Sequence, residues 1–378
     1  MKTLQTLGYL AASLWFAAPG SQAQVEINIS GAVAFRDTAY HAIRALFGAN
    51  LTSENTANQL NVPVTENKSS ALKATWTGKI PQLFGQQDVI VRAFYNGAVA
   101  GVQDLAQNRN VSFLASSTQG DVTQVSLPSD IAFSSIFQQA TEFTEPVLED
   151  RLFGATPINL VRSTSALTLD ITNITAHQLR TLAANGSVPA SFLTGNSNDT
   201  QTVYFINRDP TAGQRVTLFL NAGFTGEPIS YRLDPGGSGQ YVVDIGQAPT
   251  FIPGRNPNQI AESLASSAQP AISYLISADS FNLLNGGRNV IAYDGYKAFN
   301  GVFNNVGNDY SPIINGQYSL WVYEHLLNRT TASGNVRTFL DALVAAIGQE
   351  LQTSFSTIPS SRLRVERQAD GAPVAPIE

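Results

Sequence analysis

Apolar runs and helical periodicities alternate along this chain from residue 25 onward. Residues 25–29 alternate apolar and polar side chains, which predicts a strand, and apolar positions at helical spacing follow a glycine turn as far as Phe47. The apolar run at residues 88–95, the turn Asn96-Gly97 and the segment 99–106 repeat the same order. The first third of the chain therefore predicts two successive strand–turn–helix units.

The rest of the chain continues this alternation. Thr175 and Gln178 fit a capping box, in which their side chains satisfy free N–H groups at a helix start. Further strands are predicted at residues 131–133, 158–161, 202–206, 271–276 and 318–323, and further helices at residues 259–268 and 336–351. Residues 221–257 are rich in glycine and proline and predict an elaborated loop region. Alternating strands and helices predict an α/β fold with parallel sheets covered by helices.

The first 23 residues have the pattern of a secretory signal peptide. Lys2 precedes an apolar run, and Ser21 and Ala23 occupy the positions that signal peptidase reads before a cut at Gln24. No later segment approaches about eighteen consecutive apolar residues, so we expect no membrane anchor and a periplasmic or secreted protein. A buried first helix of a cytosolic protein is the alternative interpretation.

Composition narrows the function classes. The absence of cysteine excludes a lipid anchor on cysteine, a disulfide framework and a thiolate metal site. Lys2 is the only charged residue of the signal peptide, so cleavage would change the formal charge from −6 to −7. This acidic balance argues against nucleic acid or an anionic membrane as a partner. The length is sufficient for two domains.

Candidate chemistry lies at the ends of the predicted strands. Turns near residues 34–35, 96–98 and 208–214, and the strand end at Ser134-Ser135, present backbone N–H groups that attract anions. Because the carboxyl ends of parallel strands meet at one edge of a sheet, several such turns together would enclose one small anion. Arg208 would add a bidentate donor. In the alternative interpretation these are ordinary connections, and Arg208 pairs with Asp209 or another carboxylate.

Six segments follow one another in an order typical of one protein family. They are residues 29–35 (Ile-Ser-Gly-Ala-Val-Ala-Phe), 97–102, 130–135, 208–213, 271–274 and 310–321. Together they resemble the phosphate-binding proteins of phosphate ABC transporters, which belong to the type II periplasmic-binding-protein superfamily. The resemblance implies a two-lobed Venus-flytrap fold, in which each lobe is a mainly parallel sheet flanked by helices and the lobes close around a ligand.

The same resemblance implies a division of the chain. Lobe 1 would comprise residues 24–158 and 315–365, lobe 2 residues 159–314, and residues 366–378 would form a disordered tail. The family also implies a monomer and an ABC permease as a possible partner.

The resemblance implies which residues bind the ligand. In the family, phosphate is held by a Thr-Phe turn, a serine, an aspartate, and an arginine followed by Ser-Gly-Thr. The matching positions and their neighbours give the candidate set Ala34, Phe35, Arg36, Asn96, Gly97, Ala98, Ser134, Ser135, Arg208, Thr211, Ala212, Gly213 and Gln214. Ser135 replaces the aspartate that accepts the proton of hydrogen phosphate, so phosphate specificity does not follow. A larger or differently shaped polar ligand is the alternative.

We therefore expect an extracytoplasmic solute-binding protein for phosphate or a related oxyanion. The alternative is a secreted binding or matrix protein that keeps the fold without transport. We expect no enzyme, no cofactor and no metal, because His41, His177 and His325 lie far apart in sequence and outside any metal-binding motif. Ser134-Ser135 is not set in a nucleophile elbow.

Overall fold

The computed structural model describes residues 24–377 except 235–236, 239, 244–256, 278–288 and 305–306. The predicted signal peptide lies outside the described residues. Within the described ranges, no helix combines the length and the apolar character that crossing a membrane requires.

Helices and short strands alternate through most of the described chain. The helices are α1 (Arg36–Phe47), α2 (Pro81–Phe84), α3 (Ala98–Ala106), α4 (Ala176–Asn185), α5 (Ala190–Thr194), α6 (Gly213–Ala222), α7 (Pro257–Ser266), α8 (Ser311–Ile314) and α9 (Gly334–Glu350). The strands are β1 (Val25–Gly31), β2 (Leu51–Ala57), β3 (Lys73–Lys79), β4 (Asp88–Phe94), β5 (Asn110–Leu114), β6 (Gln124–Pro128), β7 (Ile131–Ser134), β8 (Glu149–Arg162), β9 (Asn173–Ile174), β10 (Ser187–Pro189), β11 (Thr202–Phe205), β12 (Tyr231–Leu233), β13 (Tyr241–Val243), β14 (Ala271–Ile276), β15 (Val290–Tyr293), β16 (Trp321–Asn328), β17 (Ile358–Pro359), β18 (Val365–Glu366) and β19 (Ala375–Pro376). The predicted elements named above are thus confirmed. Most of their ends are displaced by at most three residues, but β8 begins at Glu149 rather than at residue 158, and β16 ends at Asn328 rather than at residue 323.

Local sequence explains several element ends. The Thr175 hydroxyl accepts the N–H of Gln178, and the Gln178 side chain accepts the N–H of Thr175, so the predicted capping box is present. Helix α4 ends at Gly186, whose φ of 70° suits glycine. The predicted loop region at residues 221–257 contains the hairpin β12–β13, and its residues 244–256 lie outside the described part of the chain.

One sheet runs through the molecule in the order β10-β11-β14-β8-β16-β7-β1-β4-β3-β2. Strand β1 lies parallel to β4 and β7, and β11 lies parallel to β14. Strands β8 and β16 are antiparallel to each other and to their outer neighbours. The predicted α/β class is confirmed. Along this strand order, antiparallel pairs occur where β8 and β16 join the two groups of parallel strands, and at the edges of the sheet, as with β2 and β3.

Two hydrophobic cores define two lobes. The first core draws on residues 25–153 and 326–351, and the second on residues 155–323 together with Ile358 and Leu363. Strands β8 and β16 pass from one core to the other. The lobes are therefore joined by two antiparallel strands, while the predicted lobe bounds remain predictions.

The structure describes residues 366–377 as folded, in contrast to the predicted disordered tail at residues 366–378. Strand β18 pairs with β19, the Arg367 guanidinium lies 3.7 Å from the Trp321 ring centroid, and Asp370 is 9% exposed. The tail has too few apolar residues to form a core of its own, and it is ordered instead by contacts with the rest of the protein. We call residues 365–376 the C-terminal strap.

Candidate functional site

A small cavity lies between the lobes. Its lining comprises Val33, Gln59, Leu72, Tyr95, Asn96, Gly97, Ala98, Ser135, Arg208, Asp209, Thr211, Ala212, Gly213 and Gln214. Its volume is about 30 Å³. One water needs about 10–15 Å³, so the cavity suits a ligand of a few heavy atoms and not a large one.

Most of the predicted binding residues line this cavity. They are Asn96, Gly97, Ala98, Ser135, Arg208, Thr211, Ala212, Gly213 and Gln214. They come from the turn before α3, the end of β7 and the turn before α6, as the placement of strand ends predicts.

The other predicted residues lie outside the lining, and the structure shows why. The Phe35 ring packs in the core, 5.4 Å from the Phe133 ring centroid. The Arg36 guanidinium donates to the Val33 carbonyl at 3.0 Å and to the Ser70 carbonyl at 3.2 Å. The Ser134 hydroxyl is bonded to the backbone of Ile136. Ala34 is buried in the turn before α1.

Sequence reasoning missed five lining residues, Val33, Gln59, Leu72, Tyr95 and Asp209. Leu72 and Gln59 flank β3 and β2, and the sequence Leu-Thr-Ser-Glu-Asn-Thr-Ala of β2 carries no strong apolar alternation. Tyr95 and Asp209 are neighbours of predicted residues. Inspection of the residue on either side of each predicted turn would have found Tyr95 and Val33, and Asp209 lies within the predicted turn at residues 208–214.

The turn that carries Arg208 is held by buried hydrogen bonds. The Arg208 N–H donates to Asn207 Oδ1 at 2.9 Å, and the Tyr274 hydroxyl donates to the same oxygen. The Asn207 N–H donates to Ser230 Oγ at 3.0 Å. These bonds fix the backbone from which the buried Arg208 side chain reaches the cavity.

Three side-chain groups of the lining, the Tyr95 hydroxyl, the Ser135 hydroxyl and the Gln214 amide nitrogen, are buried without a hydrogen-bond partner among the described residues, and the last two come from opposite lobes. Ser135 and Gln214 are 1% and 2% exposed. Ser135 follows β7 in lobe 1, and Gln214 lies in the first turn of α6 in lobe 2. Burying a polar group without a partner costs about 1–3 kcal/mol. A ligand or water in the cavity would recover that free energy for both groups.

The lobes touch directly beside the cavity. The Val99 N–H, in the first turn of α3, donates to the Thr211 carbonyl at 3.2 Å. A Cβ atom added to Gly97 would lie 2.7 Å from Thr211 Oγ1, and one added to Gly213 would lie 2.3 Å from Ser135 Oγ. Both separations are too short for real atoms. The two glycines therefore permit the approach of the lobes.

The C-terminal strap adds a second contact between the lobes. The Phe137 N–H of lobe 1 donates to Asp370 Oδ2 at 2.8 Å, and the Thr217 hydroxyl of α6 donates to Asp370 Oδ1 at 3.1 Å. Burial raises the pKa of the Asp370 carboxyl, and the bond from Phe137 opposes this shift. Thr217 lies one turn after Gln214, so the strap acts on the helix whose start lines the cavity.

The histidines lie outside the cavity lining. His325 is fully buried, and its Nδ1 lies 2.8 Å from Asp150 Oδ2. The neighbouring Glu324 is also fully buried, and burial raises the pKa of its carboxyl well above the usual range. Across the described ranges there is no group of three or more His, Asp or Glu side chains arranged to hold a metal ion.

Solved structures share this fold. A protein of Clostridium perfringens assigned as a phosphate ABC transporter substrate-binding protein, with bound phosphate, matches with a TM-score of 0.53 and 12% identity, over 88% of this chain and 99% of that chain. An ABC-type phosphate transport receptor from Vibrio cholerae matches with a TM-score of 0.48 and 15% identity, over 88% and 99%. No family model and no curated protein matches the sequence. The first match establishes the two-lobed type II periplasmic-binding-protein fold for this chain.

Proposed function

We propose that this chain is an extracytoplasmic solute-binding protein that encloses a small oxyanion between its two lobes. The observation that carries the proposal is the pair of buried donors, Ser135 Oγ and Gln214 Nε2, which face one small cavity from opposite lobes without a partner among the described residues. A ligand that accepts hydrogen bonds from both groups must contact both lobes at once. Such a ligand therefore stabilises the arrangement in which the lobes are closed.

The surroundings of these donors favour an anion. Arg208 brings a positive charge into the lining, and Gly213 and Gln214 begin α6, where the first N–H groups of a helix have no intrahelical acceptor. Asp209 also lines the cavity, so the site combines one cation with one carboxylate. This balance suits a small anion of low charge.

The chain also fits the class of transporter-associated binding proteins. The signal-peptide pattern favours a location outside the cytoplasm, and the fold is that of a solved phosphate ABC transporter substrate-binding protein. On this proposal, the closed monomer is a divergent relative of that protein and delivers its ligand to an ABC permease.

Thermal unfolding of the purified protein against a panel of anions tests the proposal. Phosphate, sulfate, molybdate, small phosphonates and sulfonates, and carboxylates form the panel. Ligand at a hundredfold above its dissociation constant stabilises the native state by about 2.7 kcal/mol, so at least one anion should raise the unfolding midpoint.

Matched variants locate the site. Gln214→Leu and Arg208→Ala should abolish the rise in midpoint, whereas Arg362→Ala, at an exposed arginine outside the lining, should leave it unchanged. If no anion raises the midpoint of the unmodified protein, the proposal is wrong, and a secreted binding protein without small-anion transport becomes the better interpretation.

A further inference from the structure

Tyr95 is fixed in lobe 1 by its backbone and its ring, but not by its hydroxyl. The residue is 2% exposed and follows β4, at the turn that leads into α3. Its N–H donates to the Leu72 carbonyl at 2.8 Å, and its ring packs in the core of lobe 1, with 6.4 Å between its centroid and that of Phe133. The hydroxyl has no hydrogen-bond partner among the described residues.

Most buried tyrosine hydroxyls of this chain are bonded to the protein, as buried hydroxyls usually are. The Tyr40 hydroxyl donates to Glu54 Oε2 at 3.0 Å, and the Tyr310 hydroxyl donates to the Phe355 carbonyl at 2.8 Å. Within the described ranges, the buried tyrosines without a partner are Tyr95 and Tyr293. Of these two, Tyr95 lines the cavity and Tyr293 does not.

The Tyr95 hydroxyl is a neutral donor at neutral pH. Burial raises the pKa of this hydroxyl above its usual range, and the positive charge of Arg36 opposes the shift without cancelling it. A neutral hydroxyl forms a charge-assisted hydrogen bond with an anionic oxygen, and such bonds are shorter and stronger than those between neutral groups. An anion in the cavity would therefore satisfy this hydroxyl better than water would.

We propose, resting on the proposed function, that Tyr95 is a ligand-binding residue whose hydroxyl donates to an oxygen of the bound anion. Lobe 1 then supplies two hydroxyl donors, from Tyr95 and Ser135, and lobe 2 supplies the Gln214 amide. These donors come from three separate elements of the fold, the turn after β4, the end of β7 and the start of α6.

Tyr95→Phe tests this assignment, because it removes the oxygen and keeps the ring. The dissociation constants of phosphate, sulfate and methanesulfonate are measured by titration calorimetry at one pH and ionic strength. Any of these anions that binds the unmodified protein should bind Tyr95→Phe at least about tenfold more weakly, since one hydrogen bond to a charged group is lost.

The stability of Tyr95→Phe without anion separates a ligand-binding role from a structural one. The unfolding midpoint should stay the same or rise, because the variant no longer buries a hydroxyl without a partner. A hydroxyl that stabilises the fold would behave in the opposite way, with a lower midpoint and an unchanged affinity.

Two other buried tyrosines provide matched controls. Tyr40→Phe removes a hydroxyl that is bonded to Glu54, so it should lower the midpoint and leave the dissociation constants unchanged. Tyr293→Phe removes an unpartnered hydroxyl outside the lining, so it should also leave the dissociation constants unchanged.

Each outcome decides one of the two proposals. If an anion binds Tyr95→Phe as tightly as the unmodified protein, or if this variant loses stability as Tyr40→Phe does, the assignment of Tyr95 is overturned while the oxyanion function stands. An equal loss of affinity in Tyr293→Phe would overturn it as well, since the effect would not depend on the lining. If none of the three anions binds the unmodified protein, the assignment falls, and the other anions of the panel decide the proposed function.

Discussion

The two lobes are connected in two physically different ways. Strands β8 and β16 join them through backbone hydrogen bonds along most of their length, from Asn328 opposite Glu149 to Trp321 opposite Pro157. The C-terminal strap joins them through side chains, chiefly the Asp370 carboxylate. Opening the lobes can leave the strand pair intact but must break at least one of the two bonds of Asp370. The strands therefore keep the lobes together, and the strap resists their opening.

We expect the largest loss of stability from a substitution in the packed region where β8 and β16 connect the lobes. Trp321 begins β16 and is fully buried under the Arg367 guanidinium. Trp321→Ala should lower the free energy of unfolding by about 3–5 kcal/mol, because it leaves a cavity at the strand crossing. Urea unfolding measures the loss, and Val302→Ala, at a residue 70% exposed, serves as the control. A loss no greater than in the control would show that the crossing does not depend on this packing.

Features that depend on residues close together in sequence could be predicted, whereas features that depend on residues far apart in sequence could not. The capping box at Thr175 and the turn at residues 208–214, which lines the cavity, depend on local signals, and the sequence predicts both. Asp370 gave no signal, because its burial depends on Phe137 and Thr217, which are distant in sequence and meet only in the folded chain. Leu72 was missed because the residues around it alternate weakly and gain their strand pairing from β4.

Removing the strap's carboxylate should have the next largest effect. Asp370→Ala leaves the Phe137 N–H and the Thr217 hydroxyl without their partner, and we expect a loss of about 1–3 kcal/mol in the free energy of unfolding. Without anion, the radius of gyration from small-angle X-ray scattering should increase relative to the unmodified protein. An unchanged radius would show that the strap does not limit opening.

The buried Glu324 carboxyl, on strand β16, leads us to predict how the stability of the protein depends on pH. Burial raises the pKa of Glu324 well above 4.5, so the folded protein holds this proton while the unfolded chain releases it. The contribution of the neutral carboxyl to the free energy of unfolding is complete at pH values below the pKa of Glu324 in the unfolded chain. As the pH rises from that pKa toward the higher pKa in the folded protein, the contribution falls by about 1.4 kcal/mol for each pH unit. Glu324→Gln should therefore become more stable than the unmodified protein as pH rises above about 4.5.

Glu149, at the other end of the same strand pair, provides the matched control. Hydrogen bonds from Arg337 and Asn328 lower the pKa of this carboxyl, so its contribution is present above the unfolded pKa and is lost as pH falls. Glu149→Gln should thus lose stability toward neutral pH, opposite in sign to Glu324→Gln. Chemical unfolding at a series of pH values measures both slopes, and equal signs would contradict the assignment of Glu324 as neutral.

The smallest effect concerns a single bond of the strap. Thr217 is fully buried, and its hydroxyl donates to Asp370 Oδ1. Thr217→Val keeps the shape and removes this donor, so the free energy of unfolding should fall by about 0.5–1.5 kcal/mol. The effect should vanish in the Asp370→Ala background, which a double-mutant cycle measures. Full additivity of the two changes would contradict a shared bond.

The meeting of Gly97 with Thr211 and of Gly213 with Ser135 has a genetic consequence. At Gly97 an added methyl group would lie 2.9 Å from the Thr211 backbone carbonyl oxygen, so alanine there should hinder the approach of the lobes, whereas at Gly213 the nearest atom is the Ser135 hydroxyl oxygen, which can rotate away. Every glycine codon becomes an alanine codon by one base change. A single base change in the Gly97 codon should therefore be enough to hinder closure of the lobes.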